Sequence, residues 1–217
     1  MNTQQVLKFF SISFLLLLIC QCCFAGSASE PNLIGEWSDT IKDPTNLMSL
    51  RARLVISEDA DISGSRTALA YLEIQNTNSV QNTVYIYHDP SSSLELSCEL
   101  RDSSGKKVTR AVWAFDGWLP EGCWLALPYD SAIRLRPTPP EWTATNGELN
   151  ISSGWNLWRI PHGDTNDYYL SGTLTLTTPK DGISPPASTD KYSPPIIWQG
   201  TLKLPPVKIP AKNLSGK

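Results

Sequence analysis

The two histidines of the chain, His88 and His162, are its only side chains whose ordinary pKa lies near neutrality. A catalytic nucleophile needs such a base beside it, but both histidines stand in turn signals. His88 precedes Asp89 and Pro90, and His162 follows Pro161. No serine of the chain lies in a nucleophile-elbow motif. The sequence therefore assigns no catalytic residue and predicts that the protein is not an enzyme. A hydrolase whose site is assembled from distant residues is an alternative.

Oxygen and imidazole ligands follow one another closely around the second histidine. Asp164, Asn166 and Asp167, with His162, resemble part of a calcium-binding loop. Their spacing lacks the central glycine and the terminal glutamate that an EF-hand loop requires. The pattern is more typical of a solvated turn, so the sequence predicts neither a metal ion nor a cofactor.

Cys98 and Cys123 are the cysteines that lie outside the N-terminal region. Side chains alternate between the two faces of a strand, which places Cys98 with Leu96 and Leu100, and Cys123 with Leu125. Both thiols are therefore expected to point toward the core. An even pair in an oxidising compartment favours a bridge, and the sequence predicts a disulfide between Cys98 and Cys123. Two buried thiols that pack as small hydrophobic groups are the alternative.

Tryptophan is the enriched residue type, with eight copies. Exposed indole rings in a row can stack on sugar rings. The set that would form such a carbohydrate platform is Trp118, Trp124, Trp142, Trp155 and Trp158. Tryptophan is usually highly buried, so packing in the core and at its rim is the favoured interpretation. A carbohydrate-binding module is the second functional hypothesis.

Residues 1–25 have the three parts of an export signal. Lys8 gives a positive start, residues 9–19 give an apolar core, and Ala25 gives the small residue at the cleavage site. The protein is therefore expected to be secreted or periplasmic. A lipid-modified cysteine at Cys20, Cys22 or Cys23 is the alternative, but the residues that precede them are not the small ones that a lipoprotein signal prefers.

Removal of residues 1–25 leaves 192 of the 217 residues, a size that fits one domain. Lys8 is the one charged residue removed, so 17 basic residues face 21 acidic ones and the formal net charge is −4. Lysine and arginine form no dense run, so nucleic acid is not an expected partner. The remaining chain has no apolar run of roughly 20 residues, and no transmembrane segment is predicted.

Two asparagines stand in N-glycosylation motifs, Asn150 and Asn213. These motifs matter only in a eukaryotic secretory route, which the sequence does not establish. Whether either asparagine carries a glycan is therefore left open at this point.

Short stretches of alternating or β-branched residues, separated by turn signals, run through the chain from residue 54. The predicted strands are 54–57, 68–75, 83–88, 94–101, 107–113, 123–127, 131–136, 168–178 and 196–204. Apolar stripes at helical spacing are missing. The pattern predicts an all-β fold, an antiparallel β-sandwich, with a barrel as the alternative.

Four regions follow from these signals. Residues 1–25 are the signal peptide, residues 26–50 an extended arm in which Trp37 and Leu47 are isolated apolar anchors, residues 51–210 the β-sandwich domain, and residues 211–217 a tail. The proline-rich segment before residue 211 is expected to run out in an extended conformation.

Five segments carry a family resemblance. Residues 71–77 are a strand that ends in an asparagine-containing turn, and residues 84–87 are the strand that runs back after it. Residues 99–106 are a third strand that continues into a hairpin of the D-x-x-G-K type. Residues 127–135 and the W-x-G-T-L-K-L-P-P segment at 198–206 complete the pattern. The chain resembles immunoglobulin-like secreted bacterial domains of the BsuPI proteinase-inhibitor type, and also uncharacterised exported bacterial proteins.

The resemblance implies an immunoglobulin-like sandwich with extended N- and C-terminal arms. It carries over no inhibitory activity, because no inhibitory loop can be matched residue by residue. The function expected from the sequence is non-catalytic binding of an unknown protein or carbohydrate partner. Edge strands and loops would be the working surface, since sandwiches place variable loops at their ends.

Overall fold

A computed structural model describes residues 33–43, 47–60, 66–78, 82–89, 96–111, 122–135, 149–153, 156–161, 164–179, 184–185 and 194–210. This part of the chain forms thirteen strands and no helix. The strands are β1 (Leu33–Ile34), β2 (Ile41–Lys42), β3 (Ser49–Ala60), β4 (Arg66–Asn76), β5 (Val84–His88), β6 (Leu96–Asp102), β7 (Cys123–Leu127), β8 (Ala132–Leu135), β9 (Leu149–Ser153), β10 (Asn156–Ile160), β11 (Tyr168–Leu176), β12 (Ile196–Ile197) and β13 (Gly200–Ile209).

The long hairpin of β3 and β4 is the centre of a seven-stranded sheet. The two strands pair antiparallel along their whole length, from Leu50 opposite Asn76 to Ala60 opposite Arg66. β1 and β2 lie in succession along the other edge of β3. β8 and β9 lie in succession along the other edge of β4, and β10 follows β9. The hairpin therefore fixes the position of every other strand in this sheet.

Two three-stranded sheets complete the sandwich, in the strand orders β13-β11-β6 and β12-β5-β7. Most neighbours are antiparallel, as predicted. The pairs β4–β9 and β5–β12 are parallel, and each is joined by the long connection that a parallel pair requires. The all-β sandwich is thus confirmed, with a mixed rather than wholly antiparallel strand arrangement.

One hydrophobic core contains side chains from all three sheets. Alternate residues of β3 provide its clearest row, and they are 0–1 % exposed: Leu50, Ala52, Leu54 and Ile56. Burial of a leucine or isoleucine side chain contributes about 1.5–3 kcal/mol. Because the pairing register fixes which face of each strand is apolar, a shift by one residue would expose this whole row.

A β-bulge in β13 keeps both halves of that strand in contact with the core. Leu170 of β11 pairs with Val207, whereas Gly172 pairs with Leu204, so two prolines, at 205 and 206, oppose one residue. Proline lacks the N–H that a regular ladder needs, and β13 is an edge strand, where this loss is tolerated. The segment predicted to run out in an extended conformation therefore continues as a strand to Ile209.

The N-terminal segment joins the sheet within its described part. β1 and β2 lie in the region predicted as an arm, and both pair with β3. The predicted strand 107–113 is present only as a bridge between Lys107 and Arg101 in the residues that the structure describes. Residues 1–25 and 211–217 lie outside the described residues. In the described ranges no helix is long and apolar enough to cross a membrane.

Candidate functional site

A polar and aromatic cluster lies on the outer face of the seven-stranded sheet. Core residues of β3 and β4 alternate with residues that point away from the core, and these outward residues adjoin across strands. Glu73 of β4 lies between Arg53 of β3 and Arg134 of β8. We call the whole set the arginine–tryptophan cluster, and its members are Trp37, Arg51, Arg53, Glu73, Gln75 and Arg134.

An irregular edge strand brings Trp37 to this face. Ile34 pairs with Val55 and Ile41 pairs with Leu50, so six residues lie between the two pairs on the edge strand and only four lie between them on β3. Two extra residues are therefore accommodated between β1 and β2. Such bulges bend a strand and redirect a side chain. Trp37 lies in this bulged segment, over the outer face.

Hydrogen bonds hold the bulged segment against β3. Gly35 N donates to Leu54 O at 2.9 Å, and Ser38 N donates to Ala52 O at 2.8 Å. The Ser38 hydroxyl accepts a hydrogen bond from Ala52 N at 3.0 Å, which satisfies a backbone donor that the irregular pairing leaves over. The position of Trp37 is consequently fixed by its own strand and not by a loose loop.

Both outward arginines of β3 stack on the Trp37 ring. The Cζ atom of Arg51 lies 4.7 Å from the ring centroid, and that of Arg53 lies 4.3 Å from it. Each cation–π contact contributes about 0.5–2 kcal/mol, depending on how far water is excluded. A cation–π contact supplies no lone-pair acceptor, so the N–H groups of each guanidinium still need hydrogen-bond acceptors of their own.

The orientation of both guanidinium groups is fixed through their Nε atoms. Arg51 Nε donates to Gln75 Oε1 at 2.8 Å, and Arg53 Nε donates to Glu73 Oε2 at 2.6 Å. Within the described ranges, the terminal Nη groups of Arg51 and Arg53 donate to no protein acceptor. Each arginine therefore presents a two-nitrogen end whose direction is already set.

Glu73 is the one carboxylate of the cluster, and its side chain is 10 % exposed. Arg134 donates from both Nε and Nη2 to Oε1, while Arg53 occupies Oε2. Burial raises the pKa of the Glu73 carboxyl, but the hydrogen bonds and charges of the two arginines outweigh burial and hold this pKa below its ordinary value. Glu73 is therefore ionised at neutral pH.

The cluster has an excess of positive charge. It contains three arginines and one glutamate, and Glu73 forms ion pairs with Arg53 and Arg134, so two positive charges exceed the one negative charge of the cluster. Glu36 and Asp39 of the bulged segment are exposed, and in the described part of the chain neither forms an ion pair with these arginines. The cluster itself therefore has a formal charge of +2 beside these two exposed acids, whereas the chain as a whole has a formal net charge of −3.

The predicted disulfide between Cys98 and Cys123 is wrong, because the two thiols are not joined. Cys98 is buried in β6, with Sγ 3.0 Å from the Ser153 Oγ, whereas Cys123 begins β7 in another sheet. Burial raises the pKa of the Cys98 thiol to about 11, against smaller opposing effects of Ser153 and Arg110. Strand alternation gave the correct inward direction for Cys98, but it cannot say which strands are neighbours.

The predicted carbohydrate platform loses one of its members. Trp158 is 0 % exposed and lies opposite Ile151 in the core, so it cannot contact a ligand. Trp124 is partly buried in β7 and packs edge-on against Tyr87, with ring centroids 5.3 Å apart. The other three members, Trp118, Trp142 and Trp155, lie outside the described residues, and their role stays a prediction.

The remaining candidates for chemistry lie apart from the cluster. His88 ends β5 opposite Cys123, and His162 lies outside the described residues. Asp164 accepts hydrogen bonds from Asn166 N and from the Tyr168 hydroxyl. Across the described ranges, no group of three or more histidine, cysteine or acidic side chains is arranged to hold a metal ion.

The two glycosylation motifs have different positions. Asn150 is 2 % exposed within β9, so a glycan on its side chain is incompatible with this fold. Its Nδ2 atom and the Ser152 hydroxyl have no hydrogen-bond partner among the described residues. Asn213 lies outside the described residues.

Sequence reasoning did not find the arginine–tryptophan cluster. It treated Trp37 as an isolated anchor and began the first strand at residue 54, beyond both arginines. The available signal is the Arg-x-Arg spacing at 51 and 53, which places both cations on one face of a strand. A comparison of the chain with protein-family models, curated proteins and solved structures found no match.

Proposed function

We propose that the chain is an exported β-sandwich protein that acts by binding, and that the arginine–tryptophan cluster is its binding surface for a negatively charged partner. The immunoglobulin-like character and the secreted or periplasmic location belong to this proposal. The export signal predicted at residues 1–25 supports the location, and the all-β sandwich supports the fold relationship.

One observation carries the binding proposal. Arg51 and Arg53 are held on the Trp37 ring with their Nε atoms occupied and their Nη ends unused by the described protein. Arginine ends fixed in advance lose little side-chain entropy when a ligand binds, which strengthens recognition of an anion. A structural ion pair alone would need one arginine for the single carboxylate of Glu73, and the cluster has three.

The carbohydrate-binding hypothesis makes a contrasting prediction. Stacking on a neutral sugar needs an open ring face, and two guanidinium groups already lie close to the centroid of the Trp37 ring, at 4.7 Å and 4.3 Å. The cluster therefore favours recognition of charge over recognition of a sugar ring.

Retention on immobilised polymers tests the proposal. The purified protein is passed at neutral pH and low ionic strength over dextran sulfate, alginate and cellulose. An acidic protein is repelled by polyanions as a whole, so retention on an anionic polymer requires a local basic surface. We expect retention on at least one anionic polymer and none on cellulose, and Arg51→Gln should abolish it.

The matched control is Arg159→Gln, which removes an exposed arginine from β10 of the same sheet and should leave retention unchanged. Retention on cellulose that survives Arg51→Gln would support the carbohydrate-binding hypothesis instead. Turnover of a substrate that His88→Ala or His162→Ala abolishes would show that the protein is an enzyme.

A further inference from the structure

We infer that the arginine–tryptophan cluster binds a tetrahedral oxyanion with two negative charges, a sulfate or phosphate group, between the Nη ends of Arg51 and Arg53. This inference rests on the proposed function and specifies its ligand.

The spacing of the two guanidinium groups fits one shared anion. Their Cζ atoms lie 4.7 Å and 4.3 Å from a single ring centroid, so they can be no more than 9.0 Å apart. Arg51 and Arg53 also stand two residues apart on one strand face, a separation of about 6.6–6.8 Å along the backbone. Cζ atoms within this limit allow one anion beside the ring to accept hydrogen bonds from both arginines.

The number of acceptor oxygens selects the shape of the anion. One guanidinium end occupies both oxygens of a carboxylate in a paired hydrogen-bond arrangement. A carboxylate can be shared by two arginines, as Glu73 is by Arg53 and Arg134, but its lone pairs lie in one plane, so both donors must approach near that plane. A tetrahedral sulfate or phosphate has further oxygens in a second direction, so it can accept hydrogen bonds from both arginines at once.

The charge of the cluster selects the charge of the anion. Glu73 neutralises one of the three arginines, and two positive charges remain. A dianion balances them. The side chains of Arg53 and Arg134 are 23 % and 34 % exposed, so the site is open to solvent without being fully hydrated. Electrostatic attraction in such a position is stronger than on a fully exposed surface.

Glu73 has the role of a positioning residue. Its Oε2 fixes Arg53 through Nε, and its Oε1 holds Arg134 away from the space between the two β3 arginines. Gln75 does the same for Arg51 through Nε. These contacts leave the Nη ends free, and they do not require Glu73 or Gln75 to touch the ligand.

Nuclear magnetic resonance titration of the purified full-length protein tests the inference. The signals followed are the Trp37 indole N–H and the Nε–H groups of Arg51 and Arg53. The probes are sodium sulfate, sodium phosphate and methyl phosphate at pH 7.5, with sodium chloride and sodium acetate at equal ionic strength as controls. We expect saturable shifts with the three tetrahedral probes and only small, linear changes with chloride and acetate.

Two variants connect the response to the site. Arg51→Gln should weaken binding of the tetrahedral probes about tenfold or more, because a charge-assisted hydrogen bond is lost. Arg159→Gln should bind as the unchanged protein does. Tighter binding of methyl phosphate than of sulfate would identify the group as a phosphomonoester, and the reverse order would identify it as sulfate.

The inference is overturned if the shifts follow ionic strength alone, if acetate binds as well as sulfate, or if Arg51→Gln binds sulfate unchanged. Retention on alginate through the cluster, without any response to the tetrahedral ions, would also overturn it but would leave the proposed function standing. If the unchanged protein is retained on none of the polymers, the result contradicts the proposed function itself.

Discussion

Glu73 shows how a buried charge is kept in place on the outer face. Arg53 and Arg134 come from different strands, and each bonds a different oxygen of the carboxylate. A carboxylate that loses its water needs such partners, because burial alone would favour the neutral acid. The same contacts orient the arginines, so stability and the geometry of the candidate site depend on one residue.

Glu73→Gln should therefore destabilise the protein and make its stability less sensitive to acid. At pH 7 the expected loss of unfolding free energy is about 1–3 kcal/mol, because two arginines lose a charged acceptor. The folded-state pKa of Glu73 lies below its ordinary value of 4.5. Its contribution is therefore complete above that ordinary value and disappears as the pH falls through the lowered folded-state pKa.

Urea unfolding of both proteins at pH 7, 4 and 3 measures this effect. The difference between them should shrink toward pH 3. A difference that stays constant over this range would show that the ion pairs do not contribute as described. Glu99→Gln is the control, because Glu99 bonds Arg101 and Lys107 on an exposed surface and should matter less.

Cys98 should be unreactive in the folded protein. Its pKa is raised to about 11 by burial, so little thiolate exists at pH 8, and the buried sulfur is also shielded from reagents. Iodoacetamide should leave Cys98 unlabelled in the folded protein. After unfolding it should label Cys98 even when no reducing agent is added, as measured by mass spectrometry of peptides. A peptide pair that contains Cys98 linked to Cys123 before reduction would contradict the structure.

At the scale of elements, the edge strand is the part that builds the cluster. β1 and β2 alone would form a regular edge, and the extra residues between them carry Trp37 over Arg51 and Arg53. β13 passes close beneath this edge, where Gly35 lies against Val207. A Cβ atom at Gly35 would lie 2.5 Å from Val207 Cγ2 and 2.8 Å from Leu54 O.

Gly35→Ala should loosen the bulged segment. The added methyl group meets a backbone oxygen that cannot move without breaking the pairing of the edge strand with β3, so we expect a loss of about 1–3 kcal/mol. The Trp37 indole signal should shift in the same variant, and anion binding should weaken. Glu36→Ala, in the neighbouring exposed position, is the control and should change neither stability nor the indole signal.

At the scale of the whole molecule, the sequence predicts the positions of several strands but not which strands pair with each other. The alternation of Leu96, Cys98 and Leu100 predicted a half-buried strand, and the structure places β6 there. The segment 123–127 was predicted with the bounds that β7 has. Period-two alternation depends only on neighbouring residues, so it survives in any sheet order.

Sheet order depends on contacts between residues far apart in the chain, and this explains the errors. The Cys98–Cys123 bridge assumed that two inward thiols would meet, although β6 and β7 belong to different sheets. The candidate site was missed for the same reason, since Arg134 reaches Glu73 across 61 positions and Trp37 depends on a bulge. Bulges and strand neighbours leave no local signature at these residues.

Thermal unfolding in the presence and absence of dextran sulfate, at equal ionic strength, tests most directly whether the arginine–tryptophan cluster is a binding surface. A ligand that binds the folded state raises its melting temperature by mass action. The unchanged protein and Arg159→Gln should both show this rise. Arg51→Gln should start within about 4 °C of the unchanged protein, since a partly exposed residue contributes little to stability, and should show no rise. The contrary result would be an Arg51→Gln melting temperature that is much lower than that of the unchanged protein without the polymer and yet rises by the same amount when the polymer is added. That result would show that the cluster stabilises the fold and does not bind the polymer.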